Sequence, residues 1–81
     1  MMAAVSLLYF ASLREVAGIE TEAIESVASD LQGLYFEAQA RHGFKWPQAS
    51  LRVAVDGEFA RWADPVREGS EIAFIPPVSG G

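Results

Sequence analysis

The sequence predicts a small α+β domain, in which one helix crosses a mixed sheet of about five strands. Three observations lead to this fold class. Several short apolar segments alternate like strands, one segment repeats apolar residues at helical spacing, and the most apolar strands stand near the two ends of the chain. With 81 residues, the chain has room for one core. We expect the first and last strands to be neighbours at the centre of the sheet.

The strands are predicted where branched and aromatic residues stand between turn signals. The first strand has bulky residues on both faces, which indicates a central strand whose second face is exposed or used. Asp56-Gly57 is a hairpin signal between the third and fourth strands. Pro76-Pro77 ends the last strand, because proline offers no N–H group. The predicted strands are residues 5–11, 20–25, 51–55, 58–60 and 71–75.

The single predicted helix follows a capping pattern. In Ser29-Asp30-Leu31-Gln32, the hydroxyl of Ser29 suits the N-cap and Gln32 suits the N3 position. Gly43 suits the C-terminal stop. A polar stretch from Ser12 to Gly18 leads into the weak second strand, and no helix is predicted there. The apolar face of the predicted helix consists of Leu31, Leu34, Tyr35 and Ala38.

Charge and composition exclude several classes of function. Six Lys and Arg against 11 Asp and Glu give a net charge of −5, which argues against binding to nucleic acid or to an anionic membrane, since both need clustered cations. The sequence has no cysteine and one histidine, which removes disulfides, thiolate chemistry and any multi-histidine metal site. Residues 1–13 are uncharged but lack a basic start and are too short for a membrane span. We therefore predict a cytoplasmic protein without a metal site.

Several side chains outside the tail are candidates for chemistry or binding, but a structural role suits each better. The serines have neither a nucleophile motif nor an evident base, and the glutamates suit a solvated acidic edge better than a cation site. His42 at a helix end suits the helix dipole, and the tryptophans suit packing. The other residues concerned are Ser6, Ser12, Ser79, Glu20, Glu22, Glu25, Trp46 and Trp62.

The tail after the last predicted strand reads Pro76-Pro77-Val78-Ser79-Gly80-Gly81. Most such endings are frayed termini. Here two prolines favour an extended base, and the two glycines let protein walls approach the backbone closely. Six extended residues reach about 20 Å. From the residues alone, an inert tail and a strip that enters a tunnel on a partner both remain open.

Three segments carry a resemblance to a known family. They are residues 68–81 with their Pro-Pro-Val-Ser-Gly-Gly ending, the segment Phe10-Ala11-Ser12-Leu13-Arg14-Glu15 with Gly18, and Val53-Ala54-Val55-Asp56-Gly57. The sequence resembles the small subunit of molybdopterin synthase, a family of ubiquitin-like sulfur carriers, over nearly its whole length. The likeness is weakest across the helix and the 44–50 loop. It implies a β-grasp domain over residues 1–75 and a flexible tail over residues 76–81.

The resemblance implies a non-catalytic subunit that carries sulfur and has no catalytic side chains of its own. A ubiquitin-activating-like adenylyltransferase would activate the carboxylate of Gly81 with ATP and Mg, and a sulfur donor enzyme would supply the thiocarboxylate. The large subunit of molybdopterin synthase would then receive Pro76, Pro77, Val78, Ser79 and Gly80, and the sulfur would pass to the pyranopterin precursor. The chain itself would bind no cofactor.

The resemblance also implies a docking surface. Family positions that match Phe10, Phe59 and Ile75 form the apolar contact with both partners, and Arg14 matches an arginine near that interface. Strand alternation turns Phe10 and Ile75 away from the predicted core. The alternatives are ordinary core positions for the three apolar residues and a solvated surface charge for Arg14.

Other functions remain open at this level. The same features suit a sulfur carrier for thiamine or for tRNA thiolation, and a protein modifier that is joined to lysines. They also suit an interaction module with an inert tail.

Overall fold

The computed structural model describes residues 2–77, which form five strands and two α-helices. The strands are β1 (Ala3–Tyr9), β2 (Thr21–Ser26), β3 (Arg52–Val55), β4 (Glu58–Ala60) and β5 (Glu71–Ile75). The helices are α1 (Ala11–Ala17) and α2 (Leu31–His42), and a short 3₁₀ helix spans Gln48–Ser50. The predicted tail residues from Val78 to Gly81 lie outside the described residues. Among residues 2–77, no helix is long and apolar enough to cross a membrane.

The sheet has the strand order β2-β1-β5-β3-β4. β1 and β5 are parallel neighbours at its centre, and the other neighbouring strands are antiparallel. The predicted central position of the first and last strands is therefore confirmed. Their apolar content suits strands with a neighbour on both sides, while the short β4 and the glutamate-rich β2 lie at the edges, where they discourage pairing with other chains.

Helix α2 covers one face of this sheet, which we call the covered face. Alternate residues of β1 and β5 are buried on this face, and the ring of Phe74 meets that of Tyr35 edge-on at 5.2 Å between centroids. The predicted apolar face of the helix is confirmed. The buried residues that these three elements place on the covered face are Val5, Leu7, Tyr9, Leu31, Leu34, Tyr35, Ala38, Ile72 and Phe74.

The hairpin between β3 and β4 turns as predicted. Asp56 and Gly57 both have positive φ angles, of 51° and 88°, which is the backbone of a type I′ turn. The Asp56 side chain accepts a hydrogen bond from the backbone N–H of Glu71 at 2.9 Å. The hairpin is thereby fixed to β5, and β4 returns along β3.

Three local predictions are wrong. The first strand is predicted to reach residue 11, but β1 ends at Tyr9, and α1 begins at Ala11 with Phe10 as its N-cap. The stretch from Ser12 to Gly18 is mostly helix α1, whose Leu13 is buried and whose C-terminus is closed by Gly18 at φ 77°. Helix α2 begins one residue later than predicted, so its N-cap is Asp30 and not Ser29. The backbone N–H of Gly33 donates to Asp30 Oδ1 at 2.8 Å, which is the bond that an N-cap side chain makes.

Candidate functional site

The sheet face opposite α2, which we call the open face, forms a shallow apolar groove. Leu8 of β1 pairs with Ala73 of β5, and Ala54 of β3 pairs with Ala73 on its other side. Phe59 of β4 stands opposite Ala54 across the hairpin. Because the two central residues are alanines, the floor between Leu8 and Phe59 is low, and the groove has a volume of about 230 Å³.

The three apolar residues predicted to contact partners lie together in this groove. Phe10, Phe59 and Ile75 all line it. Phe59 is 67% exposed and Phe10 is 45% exposed, while Ile75 is half-buried. An ordinary core position is therefore excluded for the two phenylalanines, and their role in partner binding stays a prediction.

The exposure of Phe10 follows from the junction between β1 and α1. Phe10 is the N-cap of α1, with extended backbone, and its carbonyl accepts a hydrogen bond from the N–H of Leu13 at 3.0 Å. Ala11 follows at φ 50°, in the left-handed region that residues other than glycine rarely adopt. This sharp turn lets Leu13 reach the core while Phe10 stays at the end of the open face.

The base of the tail leaves the domain between two further grooves. Pro76 is buried and Pro77 is exposed. On one side, the prolines and the first turn of α1 enclose a groove of about 690 Å³, lined in part by Ser12 and Glu15. On the other side, a groove of about 440 Å³ lies between the prolines and residues 49–52. Both grooves share Ile75 with the open face, so accessible apolar surface continues to the start of the tail.

Arg14 does not line the open-face groove. Its Nη1 atom lies 3.6 Å from Glu20 Oε1, and both side chains are largely exposed. An ion pair of this kind contributes about 0–1 kcal/mol. The structure thus places Arg14 as a solvated surface charge in the last turn of α1, and a role with partners stays a prediction.

Arg52 is a candidate that the sequence prediction left out. Its guanidinium carbon lies 5.1 Å from the centroid of the Phe59 ring, which is a cation–π arrangement. It pairs with Ile75 in the register of β3 and β5. The alternation of the third predicted strand carries the signal, since it puts Arg52 on the face of Ala54, opposite to Val53.

A polar cluster joins β2 to the last turn of α2 on the covered face. The side chain of Glu22 is 15% exposed. Its Oε1 accepts a hydrogen bond from the Tyr9 hydroxyl at 2.7 Å, and its Oε2 accepts one from Arg41 at 3.0 Å. His42 Nε2 lies 2.8 Å from Glu22 Oε1. The prediction of a solvated edge is therefore wrong for Glu22.

The cluster holds Glu22 in its charged form. Burial works against the ionised carboxylate, but the hydrogen bonds from His42, Tyr9 and Arg41 outweigh it, so the pKa of Glu22 is lowered from its ordinary value of 4.5. Burial, and then the contact with Glu22, raises the pKa of Tyr9. These contacts tie the end of α2 to the edge strand, which is a structural role.

The tryptophans and the other two glutamates considered from sequence have the structural positions predicted for them, and Ser79 lies outside the described residues. Trp46 and Trp62 pack against the core as predicted, and Glu20 and Glu25 are exposed as predicted. Within residues 2–77, no group of three or more His, Cys, Asp or Glu side chains is arranged to hold a metal ion.

Comparison with known proteins identifies the family. The profile of the ThiS family matches residues 7–81, which is most of the chain. The chain belongs to the ThiS family. Its relatives include the molybdopterin synthase sulfur carrier subunit of Haemophilus influenzae, which is 34% identical over 94% of this chain and 98% of the relative. The subunit of that name from Homo sapiens is 36% identical over 95% of this chain and 93% of the relative. The resemblance found in the sequence is thus confirmed.

Several solved structures share the fold. A putative molybdopterin converting factor subunit 1 from Pyrococcus furiosus is 28% identical, with a TM-score of 0.78 over 94% of this chain and 99% of that one. In a complex of subunits 1 and 2 of the molybdopterin-converting factor from Helicobacter pylori, the matching chain is 27% identical, with a TM-score of 0.63 over the whole of both chains. A crystal structure of SAMP1, an archaeal modifier protein from Haloferax volcanii, is 26% identical, with a TM-score of 0.76 over 98% of this chain and 100% of that one. The predicted β-grasp fold is confirmed.

Proposed function

We propose that this ThiS-family chain is the sulfur carrier subunit of a molybdopterin synthase. The observation that carries the proposal is the continuity of the exposed apolar surface with the base of the tail. A partner that covers Phe10, Phe59 and Ile75 also contacts Pro76 and Pro77, and is therefore positioned to receive the residues that follow. The names and nearly full-length match of the relatives support the same function.

The chemistry takes place at the carboxylate of Gly81. A carboxylate is a poor acyl donor until a good leaving group is attached, so an adenylyltransferase partner uses ATP and Mg to form the acyl-adenylate. Sulfide-level sulfur supplied by a sulfur donor enzyme then attacks the acyl carbon, the C–O bond to AMP breaks, and the products are AMP and the thiocarboxylate. This nucleophilic sulfur is held on a tether, so positioning takes the place of diffusion. In this proposal the chain binds no cofactor, and Gly80 gives the partner's walls access to the backbone.

The same surface serves two partners in succession. The activating enzyme and the large subunit of molybdopterin synthase both have to receive the same tail, and the open face adjoins its base. One docking surface for both partners keeps activation and sulfur delivery from occurring on one carrier at the same moment. Because ATP drives the first step, we assign the protein to the cytoplasm.

The test is direct conversion of the chain. Incubation of the full-length protein with its activating enzyme, ATP, Mg²⁺ and a sulfur donor is expected to replace one oxygen atom of Gly81 by sulfur, as measured by intact-protein and fragment mass spectrometry. A variant with one alanine added after Gly81 is the control and is expected to stay unchanged. If the active enzyme leaves the wild-type chain unmodified, the carrier function is wrong.

A second candidate function is protein modification, which the match to the archaeal modifier protein favours. The activated carboxylate of Gly81 would then be transferred to lysine amines of other proteins. Incubating the activated chain with cell extract, followed by peptide mass spectrometry, distinguishes the two. Lysine side chains that carry residues 68–81, which is the remnant that trypsin leaves when it cleaves after Arg67, support the modifier. Sulfur incorporation into a pterin by the chain and the large subunit supports the carrier.

A further inference from the structure

Arg52 occupies the place where the open face meets the base of the tail. It stands opposite Ile75 in the sheet, and its guanidinium lies over the exposed ring of Phe59. It also lines the groove beside Pro76 and Pro77. A cation thus stands at the rim of the proposed docking surface, next to the segment that a partner has to receive.

Charges on the open face are separated by sign. Arg52 lies at the tail end of β3, whereas Glu71 and Glu25 pair with Ser6 and Ala4 at the other end of the face. Glu71 lines the open-face groove at that far end. The protein as a whole carries a net charge of −5. Arg52 is therefore a positive site on the docking face of an acidic protein.

The contact with Phe59 also prepares the guanidinium for binding. An arginine that stacks on an aromatic ring keeps its N–H edge free to hydrogen-bond in the plane of the group. That edge matches the two oxygens of a carboxylate. Because stacking on Phe59 already restricts the Arg52 side chain, less conformational entropy is lost when a carboxylate binds to it. Lysine offers a point charge without this planar match.

We propose that Arg52 is a specificity-determining residue, which pairs with an acidic side chain of the protein partner at the mouth of its tail channel. This inference rests on the proposed function, because it needs a partner that receives the tail. A partner carboxylate suits the site better than the reacting substrate. If the four residues after Pro77 are extended in the complex, the reacting carboxylate of Gly81 lies up to about 13 Å from Pro77. The substrate that reacts there is then distant from Arg52.

The test measures binding of the full-length chain to the synthase large subunit of the same organism by titration calorimetry. Arg52→Leu removes the charge and keeps an apolar side chain, and we expect it to weaken binding about tenfold or more. Arg52→Lys is expected to fall between wild type and the leucine variant. The matched control Arg67→Leu makes the same charge change on an exposed loop near the other end of the sheet, and we expect a change of about twofold or less.

Two further measurements identify the partner group. Raising the salt concentration from about 0.05 to about 0.5 M is expected to weaken wild-type binding more than Arg52→Leu binding, since salt screens a charge pair. Arg52→Glu is expected to bind about a hundredfold more weakly. One Asp→Arg or Glu→Arg change among the large subunit's carboxylates is expected to restore much of that loss, and failure of every such change contradicts the pairing.

The possible failures are distinguishable. If Arg52→Leu binds like Arg67→Leu while Phe59→Asp does not bind, the inference about Arg52 is wrong and the docking face stands. If Phe59→Asp binds like wild type, the docking face in the proposed function is itself wrong. If the free chain binds inorganic phosphate and Arg52→Leu does not, Arg52 serves an anionic small ligand, which overturns the proposed pairing.

Discussion

The two faces of the sheet use the same strands but serve different purposes. On the covered face, Leu7, Ile72 and Phe74 are fully buried beneath α2. One residue along, on the open face, Leu8, Ala73 and Ile75 line a groove that no part of residues 2–77 fills. Alternation therefore indicates which side chains share a face but not what the face does. Apolar surface that adds little to folding needs another explanation, and partner binding is the usual one.

The largest expected effect is the loss of an aromatic ring from the covered face. Phe74 is fully buried and packs against Tyr35 and Trp62, so Phe74→Ala is expected to lower the free energy of unfolding by about 3–5 kcal/mol. Phe59→Ala is the matched change on the open face and should cost less than about 1 kcal/mol, because it removes one exposed cation–π contact. Urea unfolding of both variants measures the difference. Equal losses would show that the open face contributes to the core, and the contrast between the faces would be lost.

For partner binding, we expect the open face to matter more than the residues on the other side of the sheet. Phe59→Asp puts a charge into the centre of the proposed interface, and we expect it to weaken binding to the large subunit by about 2–4 kcal/mol. Its stability should stay close to that of wild type, because Phe59 is already exposed. Phe36→Asp is the control, since Phe36 is 48% exposed on α2, which covers the other face. Calorimetric titration is expected to show wild-type affinity for Phe36→Asp, and comparable losses for both variants would contradict an interface on the open face.

The sequence was sufficient to locate the five strands, to place the first and last of them at the centre of the sheet, and to locate the main helix. β-Branched and aromatic segments, the Asp56-Gly57 turn and the spacing from Leu31 to Ala38 each act through local geometry, and all were confirmed. Helix α1 was missed because it has only seven residues, of which Leu13 alone is buried. Its signal was Leu13 and Ala17, four residues apart, followed by Gly18. A short helix of this kind gains its stability from packing, which composition does not express.

The candidate site was predictable only where local strand geometry determines it. Alternation turned Ile75 outward correctly, because that rule depends only on strand geometry. Phe10 is exposed as predicted but for another reason, since it lies beyond β1 at the turn into α1. The placement of Arg52 over Phe59 depends on the register of β3 with β4, and the burial of Glu22 depends on where α2 ends. Both are contacts between distant segments, so no local pattern contains them. The roles of Val78, Ser79, Gly80 and Gly81 stay predictions from the sequence.

The polar cluster around Glu22 is expected to make the stability contribution of the covered face depend on pH, whereas the open face, as far as residues 2–77 form it, has no such cluster around Glu25. Glu22→Gln removes the charge that Tyr9, Arg41 and His42 surround, and we expect it to cost about 1–2 kcal/mol of unfolding free energy at pH 7. The pKa of Glu22 is lower in the folded protein than its ordinary value of 4.5. The stabilisation is therefore complete above about pH 4.5 and is lost as the pH falls through the lower folded value.

The measurement is urea unfolding of wild type and variant across pH 3 to 7. The stability difference between them should be constant near neutrality and shrink in acid. Glu25→Gln makes the same change three residues further along β2, on the open face, where the side chain is exposed. We expect a change within about 0.5 kcal/mol at every pH. A pH-independent difference for Glu22→Gln would mean that the amide is poorly packed, and that the charge has no role.

The smallest expected effect comes from a change at the N-terminus of α2, which destabilises the helix and leaves both faces of the sheet unchanged. Asp30→Ala removes the side chain that accepts the hydrogen bond from Gly33, and the loss of an N-cap costs about 1 kcal/mol. Ser29→Ala is the neighbouring control and should change the free energy of unfolding by less than about 0.5 kcal/mol, because the cap bond comes from Asp30. Both variants are expected to bind the large subunit with wild-type affinity, since α2 lies on the far side of the sheet from Phe59. A loss of affinity in Asp30→Ala, at a temperature where the variant is fully folded, would mean that the helix and the open face are energetically coupled. Docking would then depend on the core as well as on the exposed groove.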